Sequence, residues 1–351
     1  MQTKLSLITE IARRDRNCKI NNAAYFLNAK NLKECFMMLK KGKASGIDGI
    51  SVEDYEKNLD ENLGNLVEKM KRQAYKPHPV RRTYIPKANG NMRPLGIPSI
   101  EDKIVQTGIA RILEAIYEVD FLDFSYGFRP NRNCHLALKQ LDEVIMTKPI
   151  KPGCSGIVEL VRYADDFVIC VQYKDEAEKI LEALKERLGK FHLEFAEEKT
   201  RIIEFGRYAK INANAKGKKP ETFNFLGFTH FIDKTRKGKF KLGRKTERKK
   251  MSAKLKEINL WLKSIRNMYL VKEWWKMLIA KLRGYFQYYG VSGNYRSISK
   301  FYYQIILMTF KWLNRRSQKK SFNWNTFWEY LKKHELPKPK IHHDFYTGFG
   351  Y

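Results

Sequence analysis

Two apolar runs, Ile157-Val158-Glu159-Leu160-Val161 and Phe167-Val168-Ile169-Cys170-Val171, flank Arg162 and the tetrapeptide Tyr163-Ala164-Asp165-Asp166. Branched residues favour extended backbone, so the runs read as two strands with the acidic pair at or beside the turn. Two adjacent carboxylates on such a tip can supply half of a two-metal phosphoryl-transfer centre. In that chemistry, ions roughly 3.5–4 Å apart clamp the attacking and leaving oxygens. Hard oxygen ligands suit Mg2+, which keeps several waters and substrate phosphates and so needs few protein carboxylates. The plain alternative is an Asp-Asp pair that only makes a hairpin turn polar.

The chain has 351 residues, enough for about two domains with a sizeable core. No apolar run approaches a membrane span, and the start, Met1-Gln2-Thr3-Lys4, lacks a signal-peptide apolar region. A cytoplasmic protein with no membrane partner is expected. Cys18, Cys35, Cys134, Cys154 and Cys170 are scattered, without a C-x-x-C pair, which fits reduced thiols better than disulfides or a zinc ribbon.

Formal net charge is +30, and residues 207–351 carry 34 Lys+Arg against 8 Asp+Glu. Nearly all of the excess therefore sits in the C-terminal two-fifths. Interleaved there are Trp261, Trp274, Trp275, Tyr285, Tyr288, Tyr289, Trp312, Trp324 and Trp328. Cations release counterions from phosphates and aromatic faces stack on unpaired bases, so nucleic acid is the expected partner. A membrane-surface helix or a merely solvated face is the alternative.

Local signals outline the elements. Ser51-Val52-Glu53-Asp54 opens a helix carrying Tyr55, Leu59, Leu63, Leu66 and Met70. Residues 81–87 and 92–98 read as strands around Ala88-Asn89-Gly90-Asn91. Ser99-Ile100-Glu101-Asp102 opens a second helix with Ile104, Val105, Ile109, Ile112, Leu113 and Ile116 on its buried side. After the acidic hairpin, Asp175 is expected to cap a helix bearing Ala177, Ile180, Leu181, Leu184 and Leu188, stopped at Gly189. From Met251 the pattern is helical, with Leu255, Ile258, Leu262 and Ile265, then Trp274, Leu278, Leu282, Tyr285 and Tyr289. The order of elements predicts an α+β fold.

Lys87 and Arg93 flank the early turn, where cations could grip a triphosphate or a backbone phosphate, or be solvated at a hairpin tip. Lys41-Gly42-Lys43-Ala44-Ser45-Gly46-Ile47-Asp48-Gly49 has the flavour of a phosphate loop but does not match G-x-x-x-x-G-K-[ST], and no apolar strand leads into it. His342-His343 lacks companions for a metal site and reads as a chance doublet.

Five blocks occur in one order: Lys43-Ala44-Ser45-Gly46-Ile47-Asp48-Gly49, Arg93-Pro94-Leu95-Gly96-Ile97-Pro98, Ser125-Tyr126-Gly127-Phe128-Arg129-Pro130, Arg162-Tyr163-Ala164-Asp165-Asp166-Phe167 and Asn224-Phe225-Leu226-Gly227-Phe228. They resemble the reverse-transcriptase blocks of the bacterial group II intron reverse transcriptase/maturase family. The segments 282–290 and 313–320 are similar to that family's thumb or maturase region.

The resemblance implies a right-hand polymerase-like architecture. Residues 1–150 would be fingers and N-terminal blocks, 151–240 an incomplete palm with the acidic hairpin, and 241–351 a helical, basic thumb/maturase domain. Asp165 and Asp166 would be catalytic and bind Mg2+, and Lys87 and Arg93 would contact the incoming deoxynucleoside triphosphate. Phe225-Leu226-Gly227-Phe228 would lie in the palm's last block. Lys272, Lys276, Lys281, Arg283, Arg315, Arg316, Lys319 and Lys320 would hold group II intron RNA or other structured RNA, and the RNA template with its DNA primer. No H-N-H or paired-Cys cassette follows the tail, so no endonuclease domain is expected.

The sequence departs from the family between about Ile150 and Gly156. Relatives place there a strand with another metal-binding aspartate and a later Pro-Gln-Gly block, on the order of a hundred residues, a typical domain's worth. A third carboxylate normally bridges the two ions; Asp120, Asp123 and Asp142 are the replacements on offer. Losing even one electrostatic clamp of a transition state costs roughly 3–4 kcal/mol. The expectation is therefore an RNA-binding, polymerase-defective family member. The alternatives are an active enzyme with the ligand supplied elsewhere and a decayed reading frame. Missing sheet partners would also leave strand edges open to self-association.

Overall fold

The computed structural model describes residues 2–15, 17–21, 23–86, 91–147, 158–194, 196–318 and 321–346. Lys87, Lys319 and Lys320 lie outside the described residues, as does the junction at 150–156. The chain forms two units, Met1–Leu122 and Asp123–Tyr351.

The first unit contains α1 (Gln2–Arg14), a 3-10 turn (Ala23–Phe26), α2 (Ala29–Met37), α3 (Val52–Glu56), α4 (Leu59–Lys71), β1 (Arg81–Pro86), β2 (Met92–Ile97) and α5 (Ile100–Tyr117). Ser51 and Ser99 cap as their patterns predict, accepting from the amides of Asp54 at 3.0 Å and Asp102 at 3.2 Å. The helix expected to run on from Ser51 is two helices, parted at Lys57-Asn58. The break is stabilised because Asn62 Nδ2 donates to the Tyr55 carbonyl, 3.1 Å, satisfying an acceptor that the ended helix leaves open. Leu32, Phe36, Tyr55, Leu63, Leu66 and Ile104 form the core. On α5 the expected stripe is only half buried: Ile104, Val105 and Ile112 face inward, whereas Ile109 and Leu113 are exposed. β1 and β2 pair antiparallel with Ile85 opposite Arg93, and both strands expose nearly all their side chains, Arg93 included.

The second unit contains α6 (Cys134–Thr147), β3 (Glu159–Tyr163), β4 (Asp166–Cys170), α7 (Lys174–Gly189), α8 (Ala209–Ala215), β5 (Phe223–Phe225), β6 (Phe228–Lys234), β7 (Phe240–Thr246), α9 (Arg248–Ile265), α10 (Val271–Tyr289), α11 (Tyr295–Leu313) and α12 (Trp324–Lys333). β3 and β4 make one antiparallel pair, and β5, β6 and β7 a second, three-stranded antiparallel sheet. Helices mixed with small antiparallel sheets make the fold α+β. α6, grouped by sequence with residues 1–150, belongs to this unit: its Leu138 and Leu141 share a core with Val161, Phe225, Phe228 and Val291. The turn between β5 and β6 places Leu226 and Gly227 at φ 48 and 78, the left-handed pair of a two-residue hairpin. Both flanking residues, Phe225 and Phe228, are buried.

α7 differs from expectation at both levels. Its N-cap is Tyr173, with Asp175 inside the first turn, and it buries no residue at all. Ile180, Leu181, Leu184 and Leu188 lie on its half-covered side. By contrast α9 to α12 enclose a dense core of Ile258, Leu262, Trp274, Leu278, Phe286 and Phe301.

Candidate functional site

The β3–β4 pair is the hairpin that its apolar runs predict. Tyr163 pairs with Asp166, leaving Ala164-Asp165 as the two-residue turn. Ala164 takes φ 53, and Arg162 Nε donates to its carbonyl at 2.8 Å. The Ser125–Pro130 block meets this tip. Arg162 N donates to Phe124 O and Tyr126 N to Arg162 O, both at 2.9 Å, in a parallel bridge between Ser125 and Arg162. A Cβ on Gly127 would collide with the backbone of Ala164, so only glycine lets this loop lie against the turn. Phe128, 85% exposed, holds its ring 6.0 Å from that of Tyr163. Asp165 and Asp166 are both exposed.

Two of the three residues offered as a third carboxylate are engaged by arginines. Asp142 is fully buried with its Oδ1 2.5 Å from Arg244 Nη2. Burial pushes its carboxyl up, against the pull of Arg244. Asp123 pairs with Arg132 at 2.9 Å. Asp120 is an exposed residue of the first unit. Among the described residues, no group of three or more His, Cys, Asp or Glu side chains is arranged to hold a metal.

In the C-terminal helices, Lys272, Lys276, Arg283 and Arg315 are exposed, while Lys281 and Arg316 are partly covered. Lys281 lies over the Trp261 ring at 4.8 Å, and Arg316 Nη1 donates to the Tyr269 carbonyl at 3.3 Å. Four of the nine aromatics expected to meet bases are buried core instead. Trp274, Trp275, Tyr285 and Trp312 are buried, because helical spacing puts them on the inward faces of α10 and α11. Trp324 and Trp328, 42% and 47% exposed, remain available.

Two cations escaped the sequence reading. Arg266 and Lys311 approach the Trp312 ring at 5.0 and 5.1 Å, beside Arg315 at 5.7 Å. The signal that could have found Lys311 is the absence of any Asp or Glu between Glu273 and Glu329, a stretch holding ten Lys and Arg; Arg266 lies before that stretch.

Two dismissed segments have occupations of their own. In the glycine-rich loop, Gly42 N donates to Glu53 Oε1 at 3.0 Å and Lys41 pairs with Glu56 at 2.5 Å, so acidic side chains take those donors. His343 is no idle doublet member: its ring stacks on His135 at 3.6 Å. Each Nε2 meets a backbone carbonyl, of Gln287 at 3.0 Å and Tyr288 at 2.9 Å.

The profile of reverse transcriptases (RNA-dependent DNA polymerases) matches residues 135–230, which contain the acidic hairpin. The group II intron-encoded protein LtrA of Lactococcus lactis subsp. cremoris is 42% identical over 107 residues, 30% of this chain and 18% of that protein. Protein YkfC of Escherichia coli is 42% identical over 100 residues, 28% of this chain and 26% of that protein. An uncharacterized 91 kDa protein in the cob intron of Schizosaccharomyces pombe is 36% identical over 123 residues, 35% and 14% of the two chains. Over the matched segments this chain is similar to group II intron-encoded reverse transcriptases and intron proteins, which supports that family.

The matched segments cover 18% and 26% of the first two of these relatives. The family uses divalent metal ions. Here the carboxylates at the hairpin are two neighbours on an exposed tip, and the donor set among the described residues does not make up a two-metal centre. No helix among the described residues is long and apolar enough to cross a membrane.

Proposed function

We propose that this chain is an RNA-binding, maturase-type member of the family whose polymerase centre is incomplete. The observation that carries the reading is the engagement of Asp142 by Arg244 and of Asp123 by Arg132. Asp165 and Asp166 then have no bridging carboxylate among the described residues. Two carboxylates on one turn cannot hold two ions in register with a primer 3′-hydroxyl. Packing supports an internal loss of palm residues near 150–156. α6, before the junction, shares one core with Val161 of β3, Phe225 of β5 and Phe228 of β6, after it, and Leu242 N of β7 donates to Met146 Sδ of α6.

In this reading β1 and β2 belong to fingers and β3 to β7 to a reduced palm. α9 to α12 form a thumb/maturase region for intron RNA, using Lys272, Lys276, Lys281, Arg283, Arg315, Arg316, Lys319 and Lys320. Arg93 and Lys87 would have served the triphosphate, and Mg2+ would be the metal of the ancestral centre.

A second reading, an active enzyme completed by another chain, is favoured by α7, which buries nothing. Primer extension on an RNA template with Mg2+ separates the two, with an Asp165→Asn/Asp166→Asn control. No extension from a chain that melts cooperatively and binds structured RNA supports the incomplete centre. Extension that vanishes in the control overturns it, and dependence of that extension on protein concentration would mark self-association as the source of the ligand.

A further inference from the structure

Three basic side chains gather around Trp312. Trp312 is buried on α11, and its Nε1 donates to Asn259 Oδ1 of α9 at 2.8 Å, which fixes the ring between two helices. Around this ring stand Arg266 at the end of α9, Lys311 on α11 and Arg315 just beyond it, at 5.0, 5.1 and 5.7 Å from the centroid. The buried Nε–H of Arg266 has no hydrogen-bond partner among the described residues, and the guanidinium lies over the electron-rich ring face. Among the described residues, none of the three is within salt-bridge distance of a carboxylate.

Three like charges gathered on one ring repel one another, and cation–π interactions worth roughly 0.5–2 kcal/mol each offset only part of that. Some surface cations elsewhere in the chain are paired. On α7, Lys174, Lys179 and Lys185 each have a Glu or Asp on the same helix within 3.7 Å. Lys311 and Arg315 lie in the stretch between Glu273 and Glu329, which holds no carboxylate to pair with, and Arg266 forms no ion pair among the described residues. The missing counter-charge is therefore expected from a ligand.

We infer that Arg266, Lys311 and Arg315, fixed around Trp312, form a preorganised clamp for the phosphate backbone of RNA. Two guanidiniums offer planar donor forks for phosphate oxygens and the lysine a point charge. The Trp312 ring holds them in place, so binding costs less side-chain freedom than it would with unsupported surface lysines. The clamp rests on the RNA-binding reading above and gives it a specific location.

The test is fluorescence anisotropy with labelled oligouridylate and with a structured RNA across a salt series. It compares wild type, Arg266→Gln/Lys311→Gln/Arg315→Gln and the charge-matched control Lys174→Gln/Lys179→Gln/Lys185→Gln, each checked for a cooperative melt. The clamp variant should bind about tenfold more weakly or worse. Its log K against log salt should be shallower by about 0.7–0.9 for each phosphate that is no longer neutralised. The control should bind like wild type. Should the triple variant not fold, Lys311→Gln/Arg315→Gln, both exposed, carries the same comparison with a smaller expected loss of affinity. Equal weakening in clamp and control variants, or wild-type affinity and slope in the clamp variant, would overturn the clamp while leaving RNA binding intact. Wild type that binds neither RNA at low salt overturns the RNA-binding reading itself.

Discussion

Asp142 of α6 and Arg244 of β7 form an ion pair at 2.5 Å with no solvent exposure on either side chain. It joins the last helix before the junction to the last strand of the sheet after it. Arg244 also donates to the Ser292 carbonyl at 3.3 Å and lies over Phe345 at 4.8 Å, so one guanidinium ties four segments. Removing either partner strands a buried charge, whereas removing both leaves an apolar gap. Arg244→Leu alone should therefore lower stability by about 3–5 kcal/mol, and Asp142→Leu/Arg244→Leu by clearly less than the sum of the single effects. Chemical denaturation of the three variants measures this, and additive effects would contradict the pair.

His230 is buried beside the same arginine, stacked on Phe223 at 4.8 Å. Burial first, and then the Arg244 charge, hold its imidazole well below the usual histidine range. The folded state thus refuses a proton that the unfolded chain accepts near pH 6.5. Stability contributed by the neutral ring is complete above that pH and is lost progressively below it, at up to about 1.4 kcal/mol per pH unit. His135, lowered chiefly by burial, acts in the same direction. Melting His230→Phe between pH 7 and 5 should show a shallower decline than wild type; parallel curves would remove His230 from the account.

Gly127 lies against the Ala164 turn with no room for a methyl group. Gly127→Ala should cost about 1–3 kcal/mol by forcing the loop off the hairpin. Hydrogen exchange should locate the loosening at the Arg162 and Tyr126 amides, whose 2.9 Å bonds join the two segments. Unchanged protection there would mean that the loop and tip do not meet.

Trp328 exposes 47% of its surface on α12 and is not part of the buried core. If it stacks on unpaired bases, Trp328→Ala should weaken binding of single-stranded RNA by about 1–3 kcal/mol while changing the salt dependence little. Equal affinity, measured at one salt concentration, would restrict the interface to phosphate contacts.

Much of the local structure was legible from sequence because it follows from short-range rules. Branched runs made the acidic hairpin, Ser51 and Ser99 capped their helices, and helical spacing marked the inward faces of α9 and α10. The misreadings have one cause, which is that periodicity says a face is apolar without saying what covers it. Hence Ile109 and Leu113 are exposed and α7 buries nothing, while Trp274 and Trp312, offered as base-stacking groups, are core. The break at Lys57-Asn58 depends on an amide side chain four residues on, which no periodic pattern encodes.

By itself, the sequence determined the reverse-transcriptase-like blocks, the paired carboxylates, the α+β order of elements and the basic tail, since each is written in contiguous residues. Tertiary structure alone decided that Asp142 belongs to Arg244, that His135 stacks on His343, and that Arg266, Lys311 and Arg315 share one indole. Those pairings join segments far apart in the chain. Desolvation and charge become strong only where folding has removed water and brought such groups within a few ångströms of one another.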